Sequence, residues 1–527
     1  MTALHAATTT GGAAAAGAAT TAAEPAASLV QSIDWLAIAP VVVPAAVALV
    51  VLVADLFATE RTKRLLGWLS IAGLAAATAL LLPLRAGDRS TFCLAGDPGA
   101  CSYTADHFTL VIQFLVLAGA LVTALLSVTA VRDARMPDGE YWFLLLSSAA
   151  GAALLPASRD LATLIVALEV ASLPAFALVG MRRGDRLSSE AALKFFLSSV
   201  TATAVSLFGI SLVYAATGSL HLEQVADRLD HVPGQLDTLV MAGVALTLVG
   251  FAFKTAAVPF HFWVPDTYVG APLPIAGYLS VIGKAVGFTG LILVTVIAFP
   301  AYSDIWGPAL AVLAALTMTF GNAAAVRQDP ARAHSAVRLL AWSSVGQAGY
   351  LLVPIAAAAY SGRDEIGATV AYALMYAAAN LGAFAVAALV ARNKPLHRIA
   401  DYRGLYAERP AAALALAFFL LCLAGLPPGI IGLFAKVAVF GSAVDAGLGW
   451  LAVVMAVNVV VALYYYLRWT ALLFRAPEGA ETGPAGARGR APWPVTAAIA
   501  VTAVVSVVLS GVPQAVLRFA SGTLFPH

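Results

Sequence analysis

The chain has 527 residues, of which 61% are hydrophobic and only 11% are charged. Soluble globular domains carry roughly 25% charged residues, so this composition excludes a water-soluble globular protein and indicates a membrane protein. Thirty basic residues against 28 acidic ones leave a net charge of +2, which gives no electrostatic reason to expect nucleic-acid binding or an acidic disordered chain.

The first residues of the chain are mainly Ala, Thr and Gly, without any Lys or Arg. A secretory signal begins with a basic segment, which is missing here. We therefore predict that residues 1–30 form a disordered Ala/Thr-rich tail that stays attached, and that residues 31–527 form a single membrane domain.

Apolar runs of about twenty residues recur after that tail, separated by short polar breaks, as expected for helices that cross a hydrocarbon layer about 30 Å thick. The runs do not alternate in the way that the strands of a membrane β-barrel would. We predict an all-α polytopic membrane protein with fourteen transmembrane helices. The predicted spans are 36–57, 65–84, 107–131, 141–157, 160–181, 190–217, 238–264, 271–299, 305–326, 337–359, 366–391, 411–443, 450–474 and 493–518.

Basic residues are distributed unequally between the loops that join these spans. Twenty Lys and Arg residues fall in one alternating set of loops and six in the other. Because cytoplasmic loops are enriched in Lys and Arg, the richer set predicts the cytoplasmic side and places both termini outside.

The three cysteines are too few for an iron–sulfur or zinc framework. Cys93 and Cys101 share a polar loop on the predicted outer side, where a disulfide is possible and a reduced pair is the alternative. Cys422 lies in an apolar run, where we expect a buried and inert thiol.

Five ionisable residues lie within apolar spans. They are Glu169, Lys194, Lys254, Lys284 and Lys436. A charged side chain at the bilayer centre costs about 2.5–3.5 kcal/mol, so we expect these residues to face a protein interior or a wet cavity and to be functional. The alternatives are that Lys194 reaches the cytoplasmic surface on its long stem and that Glu169 only forms a fixed ion pair.

Two of the lysines accompany breaks in their helices. Pro259 follows Lys254 by five residues, and the sequence Gly-Leu-Pro-Pro-Gly that contains Pro427 and Pro428 precedes Lys436. Non-helical backbone at membrane depth is tolerated only where protein or water surrounds it, so a hydrated ion path is expected there. The recurrence of a broken span five helices later predicts two inverted five-helix repeats, residues 141–299 and 305–474.

Three longer motifs support a family resemblance. They are KTAAVPFHFWVPDTYVGAPLPIAGYLSVIGK from residue 254, RLLAWSSVGQAGY from residue 338 and AGLPPGIIGLFAKVAVF from residue 424. Together they resemble the antiporter-like membrane subunits of respiratory complex I, and the likeness covers the chain from about residue 30 onward. The form PD-x-Y-x-GAP, with Tyr268, and the lysine at position 436 resemble the N type more than the M and L types.

The resemblance implies roles for individual residues. Glu169 and Lys194 match the acid/base pair of helices five and six, Lys254 the channel lysine, Lys284 the connecting lysine and Lys436 the lysine near the outlet. Pro259, His261, Tyr278, Pro427 and Pro428 match supporting positions. Two positions depart from the family pattern: Val269 replaces a common Glu, and Gln347 stands where a His is common, so that a titrating relay is not expected at residue 347.

The resemblance also implies that the chain translocates protons in a bacterial plasma membrane, as a subunit of NADH:quinone oxidoreductase. It implies no cofactor on this chain, because flavin, iron–sulfur clusters and quinone bind other subunits, and it implies subunits M and K, and also J, as partners together with membrane lipids. The alternatives are a subunit of a sodium/proton antiporter or of a proton-pumping hydrogenase, and a structural scaffold with fixed ion pairs.

Overall fold

The computed structural model describes residues 33–94, 97–476, 491–520 and 524–525. The predicted N-terminal tail lies outside these residues. Most of the described chain is helical, as the long apolar runs predict, and the helices enclose one large apolar core, with a small second cluster around Tyr103.

The helices of the first half follow the predicted spans closely. They are α1 (Trp35–Phe57), α2 (Arg64–Ala79), α3 (Leu81–Leu84), α4 (His107–Asp133), α5 (Asp138–Leu154), α6 (Leu161–Val179), α7 (Arg186–Thr217), α8 (Leu222–Leu229), α9 (Asp237–Thr255), α10 (Trp263–Gly270), α11 (Leu273–Tyr278) and α12 (Lys284–Ile292). Two π-helical stretches, Leu279–Gly283 and Leu293–Ala298, make α11 and α12 parts of one long rod.

The second half is built in the same way. Its helices are α13 (Ser303–Val326), α14 (Ser335–Ser361), α15 (Ile366–Ala391), α16 (Leu405–Glu408), α17 (Pro410–Ala424), α18 (Ile430–Asp445), α19 (Gly449–Leu473), α20 (Trp493–Gly511) and α21 (Gln514–Ala520). The rod of residues 273–298, α14 and α15 are the most deeply buried spans, and they form the centre of the bundle.

Among the described residues, twelve helical segments are long and apolar enough to cross a membrane. The two other predicted spans correspond to α5, which has 17 residues, and to α17 and α18, which a break separates. Each predicted span therefore contains a helix, while the total of fourteen crossings and the division into two repeats remain predictions.

Aspartates define where several of the spans begin. Backbone N–H groups in the first helical turn have no partner within the helix, and an Asp carboxylate can accept their hydrogen bonds. The side chains that do so precede α1, α4, α6 and α7 and are Asp34, Asp106, Asp160 and Asp185. The starts of α1, α4 and α6 lie within one residue of the predicted boundaries, whereas α7 begins four residues before the predicted start at 190, because Asp185 caps it there.

A β-hairpin precedes α4. Strands β1 (Arg89–Leu94) and β2 (Asp97–Ala105) pair antiparallel, and Cys93 lies opposite Cys101. The two cysteines form a disulfide, which decides between the alternatives that their spacing left open.

Loops that the count of basic residues assigns to one side meet in the structure. Arg392, after α15, forms an ion pair with Asp133 at the end of α4. On the opposite face, Gln224 Nε2 donates a hydrogen bond to Asp97 Oδ2 at 3.0 Å. The structure thus agrees with the predicted grouping of loops into two faces, whereas the direction of the chain relative to the cytoplasm remains a prediction.

Candidate functional site

Lys254 lies at the end of a half-helix. Helix α9 stops at Thr255 because Ala256 adopts a left-handed conformation (φ 66°), and α10 begins only at Trp263. The Lys254 side chain is buried, and its ammonium lies 5.1 Å from the ring centre of Phe176 and 5.3 Å from that of Phe195. The predicted break beside a buried lysine is therefore confirmed.

A small cavity adjoins Lys254. Its volume is about 20 Å³, and its lining also includes Tyr278, Ser148 and Gly283. The Tyr278 and Ser148 hydroxyls are 2.9 Å apart. Since one water needs at least about 10–15 Å³ and a few polar partners, this cavity has room for a single water between the lysine and the hydroxyl pair.

Lys284 is completely buried at the start of α12, directly after the π-helical stretch Leu279–Gly283. Its ammonium donates a hydrogen bond to the Ser344 carbonyl oxygen at 2.5 Å. Within the described residues it has no ion pair. A π-helical insertion shifts the side chains that follow it and is frequent at functional sites, which is consistent with the placement of this lysine toward α14.

Lys436 lies in the second half of the other broken span. Helix α17 ends at Ala424, where Gly425 takes a left-handed conformation (φ 83°), and α18 starts at Ile430. The Lys436 ammonium donates to the carbonyl oxygens of Leu423 at 2.8 Å and of Ala424 at 2.6 Å. These carbonyls are the unpaired C-terminal groups of a helix, whose partial negative charge favours a cation.

Helix α14 connects the last two lysines. Ser344, which accepts from Lys284, and Gln347 are one turn apart on this helix. Gln347 Nε2 lies 3.4 Å from the Leu423 carbonyl oxygen, the same oxygen that Lys436 contacts. Residues one turn apart on α14 therefore approach the two amines, Ser344 at Lys284 and Gln347 beside Lys436.

Tyrosine hydroxyl groups on α15 and α19 form hydrogen bonds with these two residues of α14. Tyr372 OH donates a hydrogen bond to Gln347 Oε1, and Gln347 Nε2 donates to Tyr466 OH at 3.0 Å. One turn later on α15, Tyr376 OH donates to Ser344 Oγ at 2.8 Å. The result is a polar row of buried hydroxyl groups and one amide beside the two buried amines, in two hydrogen-bonded groups one turn apart on α14. The hydroxyl groups can both accept and donate hydrogen bonds, and the Gln347 amide orients two of them without titrating.

Glu169 and Lys194 do not pair with each other in the described chain, contrary to the prediction. Lys194 Nζ lies 2.9 Å from Asp266 Oδ2 and 2.8 Å from Glu190 Oε1. Glu169 Oε1 instead accepts a hydrogen bond from Thr203 Oγ1 at 2.6 Å. The side chain of Lys194 is 50% exposed, because its helix presents it at the edge of the bundle rather than in the interior.

His261 lies in the backbone break between α9 and α10. Its ring is 5.3 Å from that of Phe320 and 5.5 Å from that of Trp342, and its Nδ1 has no hydrogen-bond partner among the described residues. The supporting prolines at 259, 427 and 428 lie in the two backbone breaks. In the ranges that the structure describes, no three His, Cys, Asp or Glu residues are grouped so that they could hold a metal ion.

Comparison with known proteins identifies the family of this chain. Residues 158–462 match the family described as NADH:quinone oxidoreductase/Mrp antiporter, TM. NADH-quinone oxidoreductase subunit N 2 of Streptomyces griseus subsp. griseus is 75% identical over 510 residues, which cover 95% of this chain and 96% of that protein. The chain belongs to the subunit N family of NADH-quinone oxidoreductases.

Solved structures show the same fold, and one of them is a chain of respiratory complex I. A chain of respiratory complex I from Thermus thermophilus superposes with a TM-score of 0.72 at 32% identity and covers 92% of this chain and 100% of that chain. A chain of the Mrp complex from Dietzia sp. DQ12-45-1b gives a TM-score of 0.79 at 22% identity, with 92% and 96% coverage, and shows that the two share a fold. The antiporter-like fold predicted from the sequence is thereby confirmed.

Sequence reasoning missed several buried polar residues on the helices around Lys284 and Gln347. They are Ser280, Ser344, Tyr372, Tyr376, Asn380 and Tyr466. Single tyrosine or asparagine residues in an apolar helix do not by themselves indicate a functional site. The one feature that could have identified them is their spacing on α15, at positions 372, 376 and 380. That spacing places three polar side chains on one face of the helix.

Proposed function

We propose that this chain translocates protons as a membrane subunit of an NADH:quinone oxidoreductase in a bacterial plasma membrane. The observation that supports the proposal most strongly is the row of three buried lysines. Lys284 donates to the Ser344 carbonyl oxygen, and Lys436 shares the Leu423 carbonyl oxygen with Gln347, which lies one turn after Ser344 on α14. The proton moves laterally from Lys254 through Lys284 to Lys436.

The first transfer uses the cavity beside Lys254. A water there bridges the ammonium to the hydroxyls of Tyr278 and Ser148 and reaches the turn before Lys284. The second transfer uses the polar row on α14 and α15. Burial disfavours the charged form of each amine, and hydrogen bonding to carbonyl oxygens favours it, so small changes in these contacts shift the proton between neighbours.

Lys436 is the last residue that binds the proton before the proton is released to the outer side. Its ammonium is stabilised by the C-terminal carbonyls of α17, so a movement of α17 against α18 changes its proton affinity. A proton that crosses 100 mV requires about 2.3 kcal/mol, which is the size of one or two buried charge-assisted hydrogen bonds.

Energy for this movement is supplied by neighbouring subunits, and we assign these as the M and K types together with J. Glu169 is close enough to Lys254 for their charges to interact. It is half-buried on a face of α6 that is otherwise exposed, because Val166 and Leu173 on this face are 56% and 50% exposed. A carboxylate facing lipid costs about 2.5–3.5 kcal/mol, so a protein surface that covers this face stabilises the assembly and controls Glu169.

Replacement of Lys254 or Lys284 by Met tests the proposal. In assembled complexes we expect proton pumping and coupled quinone reduction to fall together. The matched control is Lys63→Met, because Lys63 forms ion pairs with Asp55 and Glu60 at the end of its span and lies off the row. Normal pumping per assembled complex in both variants would favour a structural scaffold and reject the proton route.

A further inference from the structure

A second cavity lies at the other end of the bundle, between the ends of α13 and α19 and the loop before α16. Its volume is about 280 Å³. Three arginines line it, namely Arg403, Arg468 and Arg475, together with Gln328 and Trp469. By the count of basic residues this is the cytoplasmic side.

The side chains that line this cavity are basic rather than acidic. Among the described residues that line it, none is acidic. Two acids are next to lining residues along the chain: Asp329 accepts a hydrogen bond from the Ala331 backbone N–H at 3.0 Å, and Asp401 accepts one from the Arg398 backbone N–H at 2.8 Å. Arg468 and Arg475 form no ion pair within the part of the chain that the structure describes. Cations that share one cavity repel each other, so an anionic ligand stabilises this arrangement.

Uncharged donors point to the same conclusion. Trp469 is 1% exposed, and its indole N–H has no hydrogen-bond acceptor among the described residues. A buried donor without an acceptor costs about 1–3 kcal/mol. Gln328 adds an amide to the same wall, and since its Nε2 already donates to the Ala324 carbonyl oxygen at 2.9 Å, one further N–H is left for a ligand. A ligand with several acceptor oxygens therefore fits better than a simple halide.

An apolar strip leads from the cavity toward the middle of the membrane. Val453, Val457, Val460 and Tyr464 lie on one face of α19 at helical spacing and are 55–66% exposed. Tyr464 lines the cavity, and Arg468 follows it one turn later on the same face. A ligand that occupies both regions has an anionic head and apolar chains parallel to α19.

We propose that this cavity binds the phosphate of an anionic phospholipid from the adjacent leaflet. Bidentate geometry makes arginine well suited to phosphate, and basic pockets between helices on the cytoplasmic side recognise anionic headgroups. The apolar strip favours a lipid over free phosphate. Binding there joins α13, α19 and the loop at Arg403, and it does not involve the lysine row.

Photolabelling of the assembled complex tests this site. Phosphatidylglycerol with a photoreactive group near its head is added to the complex in detergent, and the labelled peptides are located by mass spectrometry. We expect label on residues 464–475, and competition by unlabelled phosphatidylglycerol but not by phosphatidylcholine. Loss of an arginine near an anionic headgroup weakens binding about fivefold, so Arg468→Gln with Arg475→Gln should weaken it about 30-fold.

Arg327→Gln is the matched control, because Arg327 is exposed at the end of α13 next to the cavity without lining it. It should leave labelling unchanged. If the double variant assembles poorly, each single variant is expected to lose about fivefold. Equal labelling by phosphatidylglycerol and phosphatidylcholine, or full labelling of the double variant, overturns the site. Competition by inorganic phosphate as effective as that by lipid overturns the lipid assignment.

Discussion

Gln347→Met removes the amide at the centre of the polar row while keeping the length of the side chain. Tyr372 OH then loses the oxygen to which it donates, and Tyr466 OH loses the amide that donates to it. Both hydroxyls are buried among apolar helices. The substitution therefore removes the amide that shares the Leu423 carbonyl oxygen with Lys436, without removing either amine.

The size of the effect follows from these lost contacts. A buried polar group without its partner costs about 1–3 kcal/mol. If that energy is added to the barrier for transfer between Lys284 and Lys436, the transfer slows about 5- to 150-fold, because about 1.4 kcal/mol corresponds to a factor of ten. Gln347→His, which restores a residue common in the family, should retain most of the rate.

The assay is proton uptake into inside-out membrane vesicles, measured together with NADH:quinone turnover and normalised to assembled complex. Gln113→Met is the matched control. Gln113 is also a fully buried amide, and its Nε2 donates to Ala153 O at 2.9 Å and to Tyr103 OH at 3.2 Å, away from the lysines. An equal loss of pumping in Gln113→Met and Gln347→Met, or wild-type pumping in the latter, would refute the reasoning.

Two further predictions concern packing and pH. A Cβ at position 287 would overlap the backbone nitrogen of Thr255, so Gly287→Ala should lower the free energy of unfolding by about 1–3 kcal/mol and reduce pumping. The control is Gly283→Ala, whose nearest contact would be 3.5 Å away and which should be tolerated. Thermal melting and proton flux are measured for both variants. His397 lies in a loop outside the spans, and burial and the neighbouring His334 lower its pKa to about 4. Between that value and about 6.5, the pKa of an unperturbed histidine, the unfolded chain binds more protons than the folded one. Stability is therefore lost as the pH falls through this window. His397→Asn should flatten the dependence of the melting temperature on pH there, and an unchanged slope would contradict this assignment.

The sequence alone determined the membrane character, the position of each span and the two helix breaks. These features depend on short-range properties: about twenty apolar residues span the bilayer, an aspartate caps the next helix, and Pro259 or the Pro427–Pro428 pair cannot continue one. The high energy of a charge in hydrocarbon likewise identified Lys254, Lys284 and Lys436 as interior residues, and all three are buried.

Only the tertiary structure decided which groups these residues meet. The partner of Lys194 is Asp266 rather than Glu169, because α10 brings Asp266 to the same edge of the bundle. Likewise, Gln347 meets Leu423 and Tyr372 because α14 packs against α15 and the end of α17. Contacts between helices far apart in the chain depend on packing angles and on the reach of each side chain, and neither is encoded in the local spacing of residues.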